Sequence, residues 1–322
     1  MKKTIIFFSF SHALTFGVAS TAVKPLVEAI KETLNITNIS LSGSVHGGDN
    51  KVFFINKENN VLGIAKCYTK RTIKEVERIY QLSEKLSQEL PIPKTLGILE
   101  HDNLPVVLQS FLPGTHYSFY NSKQLSEIAR SMAKIHSIKL DYQAPVVNTK
   151  EFDYFGLLKL CSCFPEYQFI SKLYESINLE YLNDLPMAII HGDISCSNIL
   201  FIDNKISGII DLDHARYSYR LTDIARAQVF FSFDSIGNVN EDNIKLFLKL
   251  YIRSNALIPE EFSNFYSHMK LLLIKMILET YYYVEVKKEV SPEIFTNSSF
   301  NQSWQLLLKK LHSIENKSSI DL

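Results

Sequence analysis

Apolar residues recur at three- and four-residue intervals at Val23, Leu26, Val27, Ile30 and Leu34, which predicts a helix over 22–34. The period then changes. Three short runs, 36–41, 51–56 and 61–68, have the length and composition of strands. Helical spacing returns over 72–90, where Ile73, Val76, Ile79, Leu82 and Leu86 form one stripe before Pro91-Ile92-Pro93 ends it. Residues 96–99 and 105–111 read as two further strands about a turn at His101-Asp102-Asn103. From 122 onward the pattern is mainly helical, over 122–138, 151–183, 240–254, 259–288 and 301–314. One stretch breaks it. Apolar runs at 187–190, 199–202 and 206–210 are strand-like, and Asp203-Asn204-Lys205 splits the last two into a hairpin. The prediction is an α+β chain: an antiparallel five-stranded sheet with a helix over 1–112, then a mainly helical part over 113–322 that carries a small hairpin.

Composition narrows the classes of function. With 46% apolar and 21% charged residues the chain is an ordinary globular protein. Its 34 basic and 34 acidic residues cancel, so no basic field recruits nucleic acid. No stretch of 18 apolar residues exists, and no transmembrane span is expected. Cys67, Cys161, Cys163 and Cys196 lack metal-ligand spacing, which fits a reducing compartment. Met1-Lys2-Lys3, an apolar run at 5–10 and small residues at 17–22 outline a signal peptide. Ser9, Ser11 and His12 interrupt that outline, and residues 1–21 are read instead as an arm on the N-terminal part.

The richest segment is His191-Gly192-Asp193-Ile194-Ser195-Cys196-Ser197-Asn198, followed after the hairpin by Asp211-Leu212-Asp213. Asp and Asn in loops usually only form turns. Here they stand at the ends of one hairpin, in the order of a loop that transfers phosphoryl groups. That chemistry needs a carboxylate to orient an attacking hydroxyl and take its proton, and hard oxygens for Mg²⁺ on the nucleotide phosphates. Asp193 suits the first task; Asn198 and Asp211 suit the second. Upstream, Lys66 ends an apolar strand after the turn that holds Gly47, Gly48 and Asn50. A kinase needs such a fixed cation, and a glutamate on the next helix to hold it. Glu75 is assigned that task because it shares a stripe with Ile79 and Leu82; Glu77 points further round.

His191-Gly192-Asp193, Asn198, and Ile210-Asp211-Leu212-Asp213 together resemble the aminoglycoside phosphotransferase and choline kinase family, whose pattern is H-G-D-x-x-x-x-N then I-D-x-(D/E). Gly47, Gly48, Asn50 and Val52 resemble the family's G-G-x-N-x-(hydrophobic) element. Arg220 to Ala225 resembles its D-x-x-x-D-(L/I)-A, with Asp223 opening a helix and bracing the catalytic loop. The resemblance spans roughly 25–230. It implies a protein-kinase-like fold of two lobes that uses ATP or GTP with Mg²⁺ to phosphorylate a hydroxyl of a small molecule, an aminoglycoside-like or amino-alcohol acceptor first. It also implies purine contacts at Gln109, Ser110 and Phe111, a supporting role for His191, and a cytoplasmic location, where ATP is abundant. The role of Asp213 is left open, between helping the metal and shaping the site, and no feature points to an oligomeric state.

Two rivals differ in kind. A protein kinase inserts a long activation segment between its metal-binding Asp and the helix of the bracing Asp, whereas eleven residues separate Asp211 from Asp223 here. A pseudokinase acting as a binding or scaffold module has usually lost a catalytic residue, and this chain keeps Lys66, Asp193, Asn198 and Asp211. Downstream, Tyr281, Tyr282, Tyr283 and Trp304 are expected to pack a core rather than cage a cation.

Overall fold

A computed structural model describes residues 20–47, 50–58, 60–139, 152–290 and 302–322. Most of the expected N-terminal arm, and Gly48 of the expected glycine turn, lie outside these residues. The chain divides into two units. One comprises Met1–His116 with Leu200–Asp213, the other Tyr117–Ile199 with His214–Leu322.

The first unit begins with α1 (Ser20–Leu34) and a hairpin of β1 (Ile39–Gly47) and β2 (Asn50–Lys57). After β3 (Asn60–Tyr68) come α2 (Ile73–Ser87), β4 (Thr95–His101) and β5 (Leu104–Ser110). The five strands form one antiparallel sheet in the order β1-β2-β3-β5-β4. Strand alternation sorts its side chains onto two faces. Ala65, Cys67, Val106 and Leu108 pack with Leu26 and Ile30 of α1. Tyr68 and Val107 pack with Val76, Ile79 and Tyr80 of α2. Lys66 has the parity of Tyr68 and so stands on the α2 face.

The second unit opens with α3 (Ser122–Ile135), α4 (Phe155–Leu160) and α5 (Tyr167–Ser176), followed by strand β6 (Met187–Ile190). The hairpin is β7 (Ile199–Ile202) and β8 (Lys205–Ile209). Its turn residues Asp203 and Asn204 have φ of 49° and 66°, the left-handed pair that a two-residue hairpin requires. The expected split was at 112/113; the first unit runs to His116 and takes in this hairpin from Leu200 on. Thr115 and Phe201 exchange backbone hydrogen bonds of 2.9 and 3.0 Å, and the Ile209 N–H donates to the Pro91 carbonyl at 2.8 Å. Ser207 Oγ donates to the Pro113 carbonyl at 2.7 Å.

Beyond the hairpin, β9 (Arg216–Tyr219) pairs antiparallel with β6. Then follow α6 (Arg220–Phe231), α7 (Glu241–Tyr251), α8 (Pro259–Ser263), α9 (Phe265–Tyr281) and α10 (Trp304–Ile314). Helix α9 is buried on nearly every side, with α6 and α10 packed against it. The continuous helix predicted over 259–288 is interrupted at Asn264, whose Nδ2 donates to the Glu260 carbonyl at 2.9 Å and competes with the helical ladder. It ends in a π-helical turn at Tyr282–Val286. Phe164, Tyr281 and Trp304 meet edge to face, with ring centroids 4.8–5.7 Å apart, as core packing predicts. Tyr282 and Tyr283 depart from that expectation: Tyr283 is exposed, and Lys287 Nζ stands 5.7 and 6.0 Å from their ring centroids. Among the described residues no helix is long and apolar enough to cross a membrane.

Candidate active site

In the first unit the site residues gather around Lys66. Its Nζ lies 2.7 Å from Asp211 Oδ1 and 2.7 Å from Asp213 Oδ2. The two carboxylates are in different surroundings. Asp211 is 39% exposed and Asp213 only 8%. Asp213 also accepts from Tyr68 Oη at 2.7 Å and from Asn50 Nδ2 at 2.8 Å, and Arg71 donates to its backbone carbonyl at 2.8 Å. Tyr68 spends its one hydroxyl proton on Asp213, so Tyr80 Oη, 2.8 Å away, must donate to Tyr68. Burial pushes the Tyr68 hydroxyl far above its ordinary pKa, with Tyr80 and the negative Asp213 adding to the effect, so it remains a donor. Asp211 itself has φ of 63°, a left-handed conformation that Asp tolerates better than most residues.

Glu75 is not brought to Lys66. Thr72 caps α2 and makes Glu75 its N3 residue, so the carboxylate turns back to accept from Thr72 N and Thr72 Oγ1, each at 2.8 Å. These bonds hold its pKa below the usual carboxylate value. The inward stripe of α2 runs through Val76, Ile79, Tyr80 and Leu86, leaving Glu75 exposed. The Thr72-x-x-Glu75 spacing is itself a capping-box signal and carried this outcome in the sequence. Asn50, expected to line a phosphate turn, is bonded instead to Asp213. Gly47 ends β1 opposite it. Gln109 pairs with Ile64 and Thr95 inside the sheet. The Ser110 N–H is used by the Lys94 carbonyl at 2.9 Å. Phe111 is 38% exposed with its ring edge-on to Phe54, centroids 6.3 Å apart.

In the second unit the loop of Asp193 is held by Asp223. This fully buried carboxylate accepts from the His191 N–H at 2.6 Å and the Gly192 N–H at 2.8 Å. Burial alone would raise its pKa, but the hydrogen bond and charge of His136, together with His191, outweigh it and hold the value below normal. His136, the buried C-cap of α3, has Nε2 3.3 Å from Asp223 and Nδ1 2.7 Å from Tyr251 Oη, so it serves the structure of the loop. Asp223 stands in the first turn of α6, but its carboxylate serves the loop rather than the helix end. Gly192 is required where it stands: its φ is +78°, and a Cβ there would meet the His214 carbonyl oxygen at 2.2 Å.

Asn198 Nδ2 donates to the Asp193 carbonyl at 2.7 Å and to Asp193 Oδ2 at 3.0 Å. The other carboxylate oxygen of Asp193 is taken by Arg226, a residue that sequence reasoning missed. Its only signal was its position one helical turn beyond Asp223. Tyr68 and Arg71 were missed as well, although Tyr68 shares a strand face with Lys66.

Each residue expected to hold Mg²⁺ carries a hard oxygen within its own unit. In the second, Asn198 commits its nitrogen to Asp193, while its amide oxygen accepts from Ser197 Oγ at 3.4 Å. In the first, Asp211 is 39% exposed. Among the described residues no cluster of three His, Cys, Asp or Glu forms a ready metal cage. Mg²⁺ needs none, since it binds through one or two such oxygens together with nucleotide phosphates and water.

A sheet of five antiparallel strands with a lysine on β3, a mainly helical unit, and an HGDxxxxN loop before an acid-tipped hairpin define the protein-kinase-like fold. Solved structures share it. Amicoumacin kinase hAmiN, in complex with AMP-PNP, Ca²⁺ and Ami, superposes with a TM-score of 0.64 at 13% identity, over 93% of this chain and 97% of that one. A choline/ethanolamine kinase family protein from Mesorhizobium loti does so with a TM-score of 0.61 at 14% identity, over 90% and 99%. The sequence profile of the phosphotransferase enzyme family matches residues 44–251, and the chain belongs to that family. Homoserine kinase of Zymomonas mobilis is 24% identical over 74% of this chain and 80% of its own length. An aminoglycoside 3'-phosphotransferase of Niallia circulans is 24% identical over 69% and 95%.

Proposed function

We propose that the protein transfers the γ-phosphoryl group of ATP to the hydroxyl of a small amino alcohol in the cytoplasm, with Asp193 as the base. The observation that carries this reading is Lys66, the one cation on the α2 face of β3, set 2.7 Å from the Asp that follows the hairpin. Lysine and aspartate are there the pair that a nucleotide's phosphates and their metal require. Asp211 and Asn198 would hold Mg²⁺, which would supply positive charge against that of the phosphates. Lys66 neutralises the α- and β-phosphates. Asp193 orients the acceptor hydroxyl and takes its proton. Homoserine is the first acceptor to try, since relatives named homoserine kinase recur among the similar proteins.

The interval from Asp211 to Asp223 supports a small acceptor over a peptide. A short 3-10 turn at Leu212–His214, β9 and the first turn of α6 occupy nearly all of it. No peptide-docking segment has room there.

The test is a panel of L-homoserine, choline, ethanolamine and kanamycin with ATP or GTP and Mg²⁺, read by release of ADP or GDP. Turnover with an amino alcohol is expected. Absence of turnover with every acceptor and both nucleotides sinks the enzyme reading and favours a binding module.

Within this reading Asp213, rather than Glu75, holds Lys66 in position. It is the carboxylate fixed on all sides, while Asp211 is the exposed one left for the metal. Asp213→Asn should therefore weaken ADP binding about tenfold, the order of one charged hydrogen bond, with adenosine affinity unchanged. Glu75→Ala should leave ADP affinity intact and lower stability slightly, through loss of its half of the capping box. Calorimetric titration of both variants with ADP and adenosine checks this. A larger loss of ADP affinity in Glu75→Ala would return the lysine-holding role to the helix.

A further inference from the structure

Both carboxylate oxygens of Asp193 are occupied. Oδ2 accepts from Asn198 at 3.0 Å, and Oδ1 is paired with the Arg226 guanidinium. Each oxygen keeps a second lone pair for a hydroxyl, but a guanidinium on Oδ1 stabilises the carboxylate anion and so weakens it as a base. Asn198 has an alternative in the metal. Arg226 needs one too. Its side chain is only 21% exposed, and its Nε is buried without a hydrogen-bond partner among the described residues. The guanidinium carbon stands 5.4 Å from the Phe230 ring centroid, so an aromatic face fixes where the cation can go. A cation so placed gives up this carboxylate at a cost that another anion would offset.

We propose that Arg226 is an oxyanion-binding residue: it holds Asp193 while the site is empty and passes to an anionic group of an incoming reactant, releasing Asp193 to act on the hydroxyl. The shared chemistry is a carboxylate or phosphoryl oxyanion, brought either by the acceptor or by the nucleotide's γ-phosphate. This rests on Asp193 being the base. It goes beyond that reading by making the base's availability depend on a reactant's negative charge. Where the acceptor brings the oxyanion, a polycationic acceptor is disfavoured, since nothing in such a molecule would draw Arg226 away.

The exchange can be read without turnover. In Asp193→Asn the competing charge is gone and Arg226 is free for an anion. L-Homoserine, 3-aminopropan-1-ol and AMP-PNP are titrated by calorimetry into Asp193→Asn and into Asp193→Asn/Arg226→Met, with Arg226→Lys as the variant that keeps the charge. The alcohol is homoserine without its carboxylate. Loss of about tenfold in homoserine affinity on removing Arg226, with 3-aminopropan-1-ol unaffected, assigns the oxyanion to the acceptor. A loss of that size for AMP-PNP assigns it to the γ-phosphate. Arg226→Lys should retain part of whichever affinity is lost. Equal affinity of both backgrounds for homoserine and AMP-PNP overturns the proposal and leaves Arg226 as a fixed partner of Asp193. Since binding alone is measured, that result is distinct from a failure of the phosphotransfer reading, which the acceptor panel reports.

Discussion

Asp193→Ala should lower kcat by about 10³-fold while nucleotide affinity stays near that of the native protein. The expectation follows from what the side chain touches. Its carboxylate meets Asn198 and Arg226, and its backbone N–H donates to His191 Nδ1 at 3.2 Å. None of these contacts involves the Lys66 cluster that is proposed to hold the phosphates. Loss of the base should therefore appear in turnover and spare binding. Asp193→Asn is the companion variant. It keeps the shape and the Asn198 contact but cannot accept a proton, and it should be as slow as the alanine. ADP release at saturating acceptor, with AMP-PNP binding measured separately, gives both quantities. Turnover within tenfold of the native rate in either variant would move the base elsewhere.

Asp223→Ala should cost about 3–5 kcal/mol of stability, the usual consequence of removing one partner from a buried charged network. The carboxylate is fully buried, and two backbone N–H groups plus His136 depend on it. With alanine there, the His191 and Gly192 donors lose their acceptor where water cannot easily replace it. The loop of Asp193 then loses its fixed geometry, and kcat should fall along with the urea midpoint. pH adds a second readout. The folded pKa of Asp223 is depressed, so its contribution is present above the unfolded value near 4 and is lost as pH falls through the folded value. Native and variant stabilities should thus differ by a constant amount near neutrality and converge in acid. A constant difference down to pH 2 would show that the charge of Asp223 is not what stabilises the loop.

Much of the fold was legible because it is local. Short runs of strand length and composition mark the sheet, Asp203-Asn204 marks the hairpin turn, and the period-3.6 stripes mark the helices. Lys66 was legible for the same reason, as a lone cation in an apolar strand. What escaped was pairing across distance. The Tyr68–Asp213 bond joins positions 145 apart, and nothing near either residue announces it. Arg226 reads as one more helical arginine until the loop of Asp193 is folded against α6. Glu75 was misassigned for a different reason. Two local signals competed for it, a stripe of inward residues and a capping box, and the cap prevailed because it satisfies backbone donors that the helix would otherwise leave open. Asn264 divides one predicted helix for a like reason, its side chain offering the backbone a competing bond.

The discontinuity of the first unit sets an order of events during synthesis. Chain emerging from the ribosome supplies the five strands, α1 and α2 well before it supplies Leu200–Asp213. Until that segment arrives, Lys66, Tyr68 and the Pro91 and Pro113 carbonyls wait for partners that lie far downstream. The five strands are complete without that segment, but the cluster around Lys66 is not. Its completion is tied to translation of the very residues proposed to carry the metal, so a nascent chain stalled before Asp211 would hold a full sheet whose Lys66 lacks the carboxylates of both Asp211 and Asp213.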